Sequence, residues 1–180
     1  MGRSAGARAA KDAEFLELVS GHTGRLYRSA CLLTGGDTHG AEDLVQEALG
    51  RMYVLWRRKA WTGGRHRVDN PGAYAHTVMV RVFLAQKRRR SSGEHPTDRL
   101  PESAGHEADG ALRLTLLDAL GGLSVQDRAV LVLRYWEDRS VEETAEVLRL
   151  SSGAVRTRTS RALARLRGRL GDSLAELTAR

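Results

Sequence analysis

The sequence predicts an all-α protein made of two small helical domains joined by a flexible acidic linker, with a helix-turn-helix in the C-terminal domain. Apolar residues recur at helical spacing along most of the 180 residues, and no strand-like alternation of useful length is present. Residues 91–110 carry a net charge of −4 and are rich in Ser, Gly and Pro, so they cannot bury enough apolar surface to order themselves. We therefore predict a flexible tail at 1–12, a first domain at 13–90, the linker at 91–110 and a second domain at 111–180.

Three helices are predicted in the first domain. Residues 15–33 fit one helix, or two helices with a break near Gly21. Residues 41–56 show the clearest pattern, because their apolar side chains share one face and their polar side chains lie opposite. Pro71 suits the first turn of a third helix, which ends in the basic run 87–90.

The second domain contains a helix, a tight turn and a basic helix. Ser140 and Glu143 fit an S-x-x-E capping box, so a helix should begin there. Ser151 or Ser152 can cap the next helix. That helix carries six arginines and no acidic residue between positions 151 and 170, which suits the major groove of DNA. The alternative is a solvated basic face, but helix propensity explains the arginines and not the missing acids.

A second basic surface is predicted at the end of the first domain. Arg81 and the run 87–90 follow a loop that contains Trp61, Arg65 and Arg67. Cations track the phosphate backbone and aromatic rings stack on unpaired bases, so this combination suits melted or single-stranded DNA. The alternative is a solvated helix end beside a core tryptophan. A helix-turn-helix in the same chain favours DNA contact.

No catalytic or metal-binding pattern is present, so the sequence predicts a protein that is not an enzyme and uses no cofactor. The six histidines lack metal-ligand spacing, and no phosphate-binding or nucleophile motif occurs. The single cysteine, Cys31, excludes an internal disulfide, and its apolar neighbours favour a buried thiol. No apolar run reaches the ~18 residues of a transmembrane helix, and the start lacks the apolar stretch of a signal peptide. We therefore expect a cytoplasmic protein.

Three segments together resemble the extracytoplasmic-function sigma factors of bacterial RNA polymerase, particularly those of actinobacteria. AEDLVQEALGRMYVLW, residues 41–56, is similar to the region 2.2 helix that docks on the clamp helices of the polymerase β′ subunit. NPGAYAHTVMVRVFLAQKRRR, residues 70–90, is similar to regions 2.3 and 2.4, which open and read the minus-ten element. Residues 123–167 resemble region 4, which reads the minus-thirty-five element. The resemblance covers residues 14–170, and EDLVQE followed by RAVLVLRYWED is highly specific.

The resemblance implies three sets of site residues and two partners. The polymerase-binding set is Asp43, Leu44, Gln46 and Glu47. The minus-ten set, which holds a flipped base and the separated strand, is Trp61, Arg65, Arg67, Asn70, Arg81, Gln86, Arg88 and Arg89. The minus-thirty-five set, for the major groove and its phosphates, is Ser151, Arg156, Thr157, Arg158, Ser160 and Arg161. The implied partners are promoter DNA and core RNA polymerase, through its β′ clamp helices and β flap. The resemblance also allows an anti-sigma factor and implies no membrane partner.

The chain departs from many relatives at two positions. Arg81 stands where an Asn helps to hold the flipped base, so it either alters the minus-ten preference or binds phosphate. Arg149 stands where a Gly usually forms the turn of the helix-turn-helix, and a β-carbon in a left-handed conformation adds strain of about 1 kcal/mol. The acidic linker resembles the connector that threads toward the RNA exit channel.

Two other function classes remain open from the residues alone. The first is an autonomous helix-turn-helix regulator that binds duplex DNA as a dimer. It gives no role to the segment 41–56 or to the loop that contains Trp61. A pure protein-binding adaptor does not explain two separated basic surfaces. The resemblance therefore implies a sigma factor that binds core polymerase, recognises the minus-thirty-five and minus-ten elements and promotes strand opening.

Overall fold

The computed structural model describes residues 2–57, 70–91 and 107–178, and these ranges are built from helices. The seven α-helices of the described ranges are α1 Gly2–Thr34, α2 Thr38–Arg57, α3 Pro71–Ser91, α4 Glu107–Gly121, α5 Val125–Leu131, α6 Val141–Leu148 and α7 Ser152–Thr178. A π-helical turn, Val132–Trp136, continues α5. Because no strand occurs among the described residues, the predicted all-α class is confirmed.

The first three helices pack on one another and form the N-terminal helical group. Leu26, Met52 and Phe83, one from each helix, are fully buried between them. Burying a side chain of this size contributes about 1.5–3 kcal/mol, so these contacts decide how α1, α2 and α3 are arranged. Cys31 is a buried free thiol, as predicted.

The segment predicted as a tail, residues 1–12, is helical from Gly2 onward, and α1 continues to Thr34 without the alternative mid-helix break. The Tyr53 hydroxyl donates a hydrogen bond to Asp12 Oδ1 at 2.6 Å. Trp56 Nε1 donates to a backbone carbonyl of the same turn of α1 at 3.2 Å. These bonds come from α2, so no local pattern in the first residues could indicate them.

The linker predicted at 91–110 is shorter at both ends. Ser91 still belongs to α3, and α4 already begins at Glu107. Glu and Ala are good helix formers, and extending an existing helix needs no new nucleation, which explains the early start of α4. Residues 92–106 lie outside the described residues.

The last four helices form the C-terminal helical group, which packs against the N-terminal one. Leu120, Leu131 and Ala162 make a small apolar cluster within the C-terminal group. Leu133, by contrast, belongs to the large cluster that also contains the core of the N-terminal group. The two predicted domains therefore share a hydrophobic core in this structure.

Candidate nucleic-acid interface

A capping box fixes the first residue of the helix before the turn. Ser140 Oγ accepts a hydrogen bond from the backbone N–H of Glu143 at 3.0 Å, and Glu143 Oε2 accepts from the backbone N–H of Ser140 at 2.7 Å. The bonds to Ser140 lower the pKa of Glu143 from its ordinary value. The capping box predicted from the sequence is confirmed, and it sets where α6 begins.

The turn between α6 and α7 places Arg149 in the left-handed region, with φ 56° and ψ 48°. Arg149 therefore carries a β-carbon at a position whose backbone is left-handed, as predicted. The backbone N–H of Leu150 donates to the carbonyl of Ala145 at 2.9 Å and closes the turn. Ser151 Oγ then accepts from the backbone N–H of Ala154 at 3.1 Å, so Ser151 is the residue that caps α7.

The second helix of the motif, α7, buries one face and exposes the other. Val155 and Ala162 are fully buried. The exposed members of the minus-thirty-five set are Ser151, Arg156, Thr157, Ser160 and Arg161. Thr157 and Arg161 lie beside a cleft of about 470 Å³, and Arg158, which is partly buried, also lines it. An exposed cationic face on a capped helix can bind a polyanion.

A buried carboxylate lies beneath this cleft, at a residue outside the three predicted sets of site residues. Asp127, in α5, is 2% exposed. Its Oδ1 accepts from Arg158 Nη1 at 3.1 Å, and its Oδ2 accepts from Arg165 Nη1. The backbone N–H of Asp127 donates to Ser124 Oγ at 3.2 Å, so the S-x-x-D pattern that caps α5 was the available signal.

The outer face of α2 presents most of the predicted polymerase-binding set. Asp43 and Gln46 are exposed, and Glu47 is partly exposed. Leu44 is 0% exposed, so the predicted direct contact with polymerase is corrected: this side chain lies on the apolar face and supports the surface from below. Gln86 Nε2 donates to Glu47 Oε2 at 2.6 Å, which joins the polymerase-binding set to the minus-ten set.

The described members of the minus-ten set lie on or next to α3. Asn70 Oδ1 accepts from the backbone N–H of Ala73 at 2.9 Å, so Asn70 caps the helix. Arg88 and Arg89 are exposed near its other end. The predicted loop residues Trp61, Arg65 and Arg67 lie outside the described residues.

Arg81 connects α3 to the helix before the turn. Its Nε donates to the carbonyl of Val147 at 3.4 Å, and its Nη2 donates to the carbonyl of Glu146 at 3.5 Å. These carbonyls belong to the C-terminal end of α6, where the helix dipole favours a cation. A cleft of about 560 Å³ opens beside this contact, and the cationic residues that line it are Arg81, Lys87, Arg88 and Arg149.

A polar cluster around Glu137 joins the two helical groups. Glu137 has a side chain that is 5% exposed, and His76 Nδ1 lies 2.9 Å from its Oε1. Ser29 Oγ donates to the same oxygen, and Arg25 Nη2 lies 3.4 Å from Oε2. Burial raises the pKa of Glu137, but the hydrogen bonds from His76 and Ser29 outweigh it. Together with the positive charge of Arg25, they leave this pKa below its ordinary value.

Arg128 forms a second joint between the groups and is 7% exposed. Its Nη1 donates to the carbonyl of Leu33 at 2.8 Å, at the end of α1. Its Nη2 donates to the carbonyls of Gly121 at 2.6 Å and Leu123 at 3.2 Å, at the end of α4. Burial lowers the pKa of Arg128 to about 10, so the guanidinium remains charged at neutral pH.

The described residues contain no group of three or more His, Cys, Asp or Glu side chains that could hold a metal ion. Among the described helices, none combines the length and the apolar character that a membrane crossing requires. Both clefts described above are lined by arginines, so the chemistry that these surfaces offer is the binding of anionic groups.

Known proteins similar to this chain include regulators of transcription. The family model described as sigma-70, region 4 matches residues 113–166. The RNA polymerase sigma-E factor of Streptomyces coelicolor is 41% identical over 159 residues, which cover 87% of this chain and 86% of that protein. The ECF RNA polymerase sigma factor SigL of Mycobacterium tuberculosis is 34% identical over 173 residues, covering 93% and 94% of the two chains.

The fold is also similar to that of a solved sigma factor. The structure of RpoE in complex with the anti-sigma factor NepR, from Bartonella quintana, superposes with a TM-score of 0.63 and 23% identity. The match covers 88% of this chain and 97% of that one. The chain therefore belongs to the extracytoplasmic-function sigma factors, which serve promoter-specific initiation of transcription by RNA polymerase.

Proposed function

We propose that this sigma factor recognises the minus-thirty-five element with α7 and the minus-ten element with the surface around α3, and that it promotes strand separation there. It acts by binding and carries out no catalysis itself. The observation that supports this best is the exposed arginine face of α7, capped by Ser151 and bearing Arg156 and Arg161. An α-helix fits the major groove, and arginine pairs with guanine there.

The proposed protein partner is core RNA polymerase. The exposed polar residues Asp43 and Gln46 on α2 form the surface for the β′ clamp helices. An apolar groove of about 180 Å³, which includes Leu116, Tyr135 and Trp136, is the proposed surface for the β flap. The similar Bartonella quintana protein was solved with an anti-sigma factor, and we propose a regulator of that class for this chain as well.

Engagement of the minus-ten element requires a rearrangement. Arg81 belongs to the minus-ten set, yet it donates to the carbonyls of Glu146 and Val147 at the end of α6. A guanidinium held there cannot also line a separated DNA strand in the same position. The C-terminal group therefore moves away from α3 when polymerase and promoter bind.

Run-off transcription with purified core polymerase, on a pool of fragments from the chain's own genome, tests the proposal. Transcripts that require the added protein establish its promoter recognition and give the promoter motif. An absence of such transcripts, together with tight duplex binding by the protein alone, would instead establish an autonomous regulator.

A pair of variants on α7 tests the minus-thirty-five assignment. Arg161→Ala should reduce transcription about ten- to hundredfold from promoters with a matched minus-thirty-five element, because one base contact carries that much discrimination. Arg167→Ala, exposed on the same helix but not lining the cleft, is the matched control and should preserve the preference for the matched element. Equal losses for both variants would contradict base reading by Arg161.

Strand opening has a separate test. The double variant Arg88→Ala with Arg89→Ala should slow open-complex formation on duplex promoters, because fewer cations hold the separated strand. The same variant should be nearly as active as the wild type on a template whose minus-ten segment is already unpaired. Equal defects on both templates would place these arginines outside strand opening.

A further inference from the structure

Asp127 holds two arginines of α7 from the neighbouring helix α5. Its side chain is 2% exposed, its Oδ1 lies 3.1 Å from Arg158 Nη1, and its Oδ2 accepts from Arg165 Nη1. Arg158 and Arg165 are separated by two helical turns, so they project from the same face of α7. One carboxylate therefore fixes two guanidinium groups at the cleft that Arg161 also lines.

The burial of Asp127 restrains the orientation of the two arginine side chains that pair with it. A buried carboxylate is costly unless charged hydrogen-bond partners compensate it, so neither guanidinium leaves it freely. An arginine on an exposed helix face otherwise samples many rotamers. The side chains of Arg158 and Arg165 remain 33% and 58% exposed, so both reach the cleft surface while their direction is set from below.

The carboxylate also changes the charge that DNA meets at the cleft. Attraction between arginines and phosphates is independent of sequence, whereas contacts to base edges discriminate between sequences. Asp127 cancels one of the positive charges lining the cleft and keeps the remaining donors oriented. Both effects favour discrimination between DNA sequences over sequence-independent attraction to phosphates.

We propose that Asp127 is a positioning residue for minus-thirty-five recognition, which orients Arg158 and Arg165 and limits non-specific binding by the cleft. This role rests on the proposed function of α7. Asp127 does not contact DNA itself, because its carboxylate is buried under the two arginines.

Asp127→Asn tests the role in holoenzyme assembled from core polymerase and the full chain. Two promoter fragments are compared, identical at minus ten, one with the matched minus-thirty-five element and one with that element scrambled. The variant should bind the matched fragment more weakly and the scrambled fragment more tightly, so that the ratio falls about tenfold. The slope of log affinity against log salt on the scrambled fragment should steepen by about 0.9 for each added phosphate contact.

Glu142→Gln is the matched control for charge. Glu142 pairs with Arg156 at 3.4 Å, and both side chains are exposed, at 68% and 65%. Removing this acid adds the same charge near α7 without freeing a buried contact, and exposed pairs contribute little. It should raise the affinity for both fragments and change their ratio much less than Asp127→Asn does, because an exposed pair restrains Arg156 little.

Arg158→Lys is a second variant that keeps the charge pair and the fold. An ammonium can still pair with Asp127 but lacks the planar fork of a guanidinium, so the ratio should fall while the salt slope stays constant. Losses on both fragments in Asp127→Asn, or unchanged ratios in both variants, would overturn the positioning role. A wild-type holoenzyme with no preference between the fragments would instead overturn the proposed function of α7.

Discussion

Replacing Arg128 should weaken the contact between the two helical groups more than replacing any exposed arginine would. Arg128→Met keeps an unbranched side chain but removes the guanidinium, and it leaves three carbonyl oxygens, of Leu33, Gly121 and Leu123, without their donor. An unsatisfied acceptor costs about 1–3 kcal/mol, and because two of the three bonds are buried and the bond to Gly121 is partly buried, the total is roughly 6 kcal/mol. The variant also avoids burying a guanidinium, whose pKa, lowered by burial to about 10, corresponds to about 3 kcal/mol of desolvation. The expected net loss in the free energy of unfolding is therefore about 3 kcal/mol.

Urea denaturation of the full chain, followed by circular dichroism, measures this loss. For a chain of this length, about 3 kcal/mol also lowers Tm by roughly 6–12 °C. Small-angle scattering should show a larger radius of gyration, because Arg128 ties the end of α1 to the end of α4. Arg113→Met, an exposed position on α4, is the control and should change stability by less than about 0.5 kcal/mol. A loss below about 1 kcal/mol with an unchanged radius would refute the reasoning.

Three further changes test other contacts, each by urea denaturation. The pKa of Glu137 is lowered in the folded protein, so the ionised carboxylate stabilises the fold above the unfolded pKa of about 4.3. This contribution is lost as the pH falls from there through the lower pKa of the folded state. Glu137→Gln should therefore lose less stability than the wild type on acidification. Gly35→Ala should cost more than about 1 kcal/mol of stability, because φ is +70° and a Cβ would lie 2.7 Å from Gly121 Cα. Its control is Gly50→Ala, in the middle of α2, where the added Cβ meets open space. That variant should instead stabilise the protein by about 0.5–1 kcal/mol. Ser140→Ala should cost about 1 kcal/mol by removing the cap of α6, and an unchanged stability would contradict the role of the capping box.

Features that depend on neighbouring residues in the chain could be predicted from the sequence. The capping box of Ser140 and Glu143 needs only residues three apart, and it occurs as predicted. The left-handed backbone at Arg149 follows from the geometry of a tight turn between two helices. Replacing Arg149 with Gly should relieve strain of about 1 kcal/mol, a local effect that the sequence also indicated.

Features that depend on residues distant in sequence could not be predicted in this way. Asp12 of α1 is bonded by Tyr53 of α2, a contact that has no signature near the N-terminus. Asp127 is separated from Arg165 by more than thirty positions, so only the packing of α5 against α7 reveals their pair. Leu44 was predicted at the polymerase surface through a family resemblance, although helical periodicity already placed it on the apolar face. A family motif therefore does not by itself indicate which of its residues are buried.

The contacts between the two helical groups differ enough in strength to suggest an order of opening. Arg81 is exposed, and its bonds to the carbonyls of Glu146 and Val147, at 3.5 and 3.4 Å, lie at the limit of hydrogen-bond length. Such bonds compete with water and cost little to break. Arg128 and the side chain of Glu137 are buried, and their partners would be left unsatisfied if the contacts opened. Because Arg81 is also the residue proposed to line the separated strand, we expect this weakest edge of the interface to open first when promoter DNA binds.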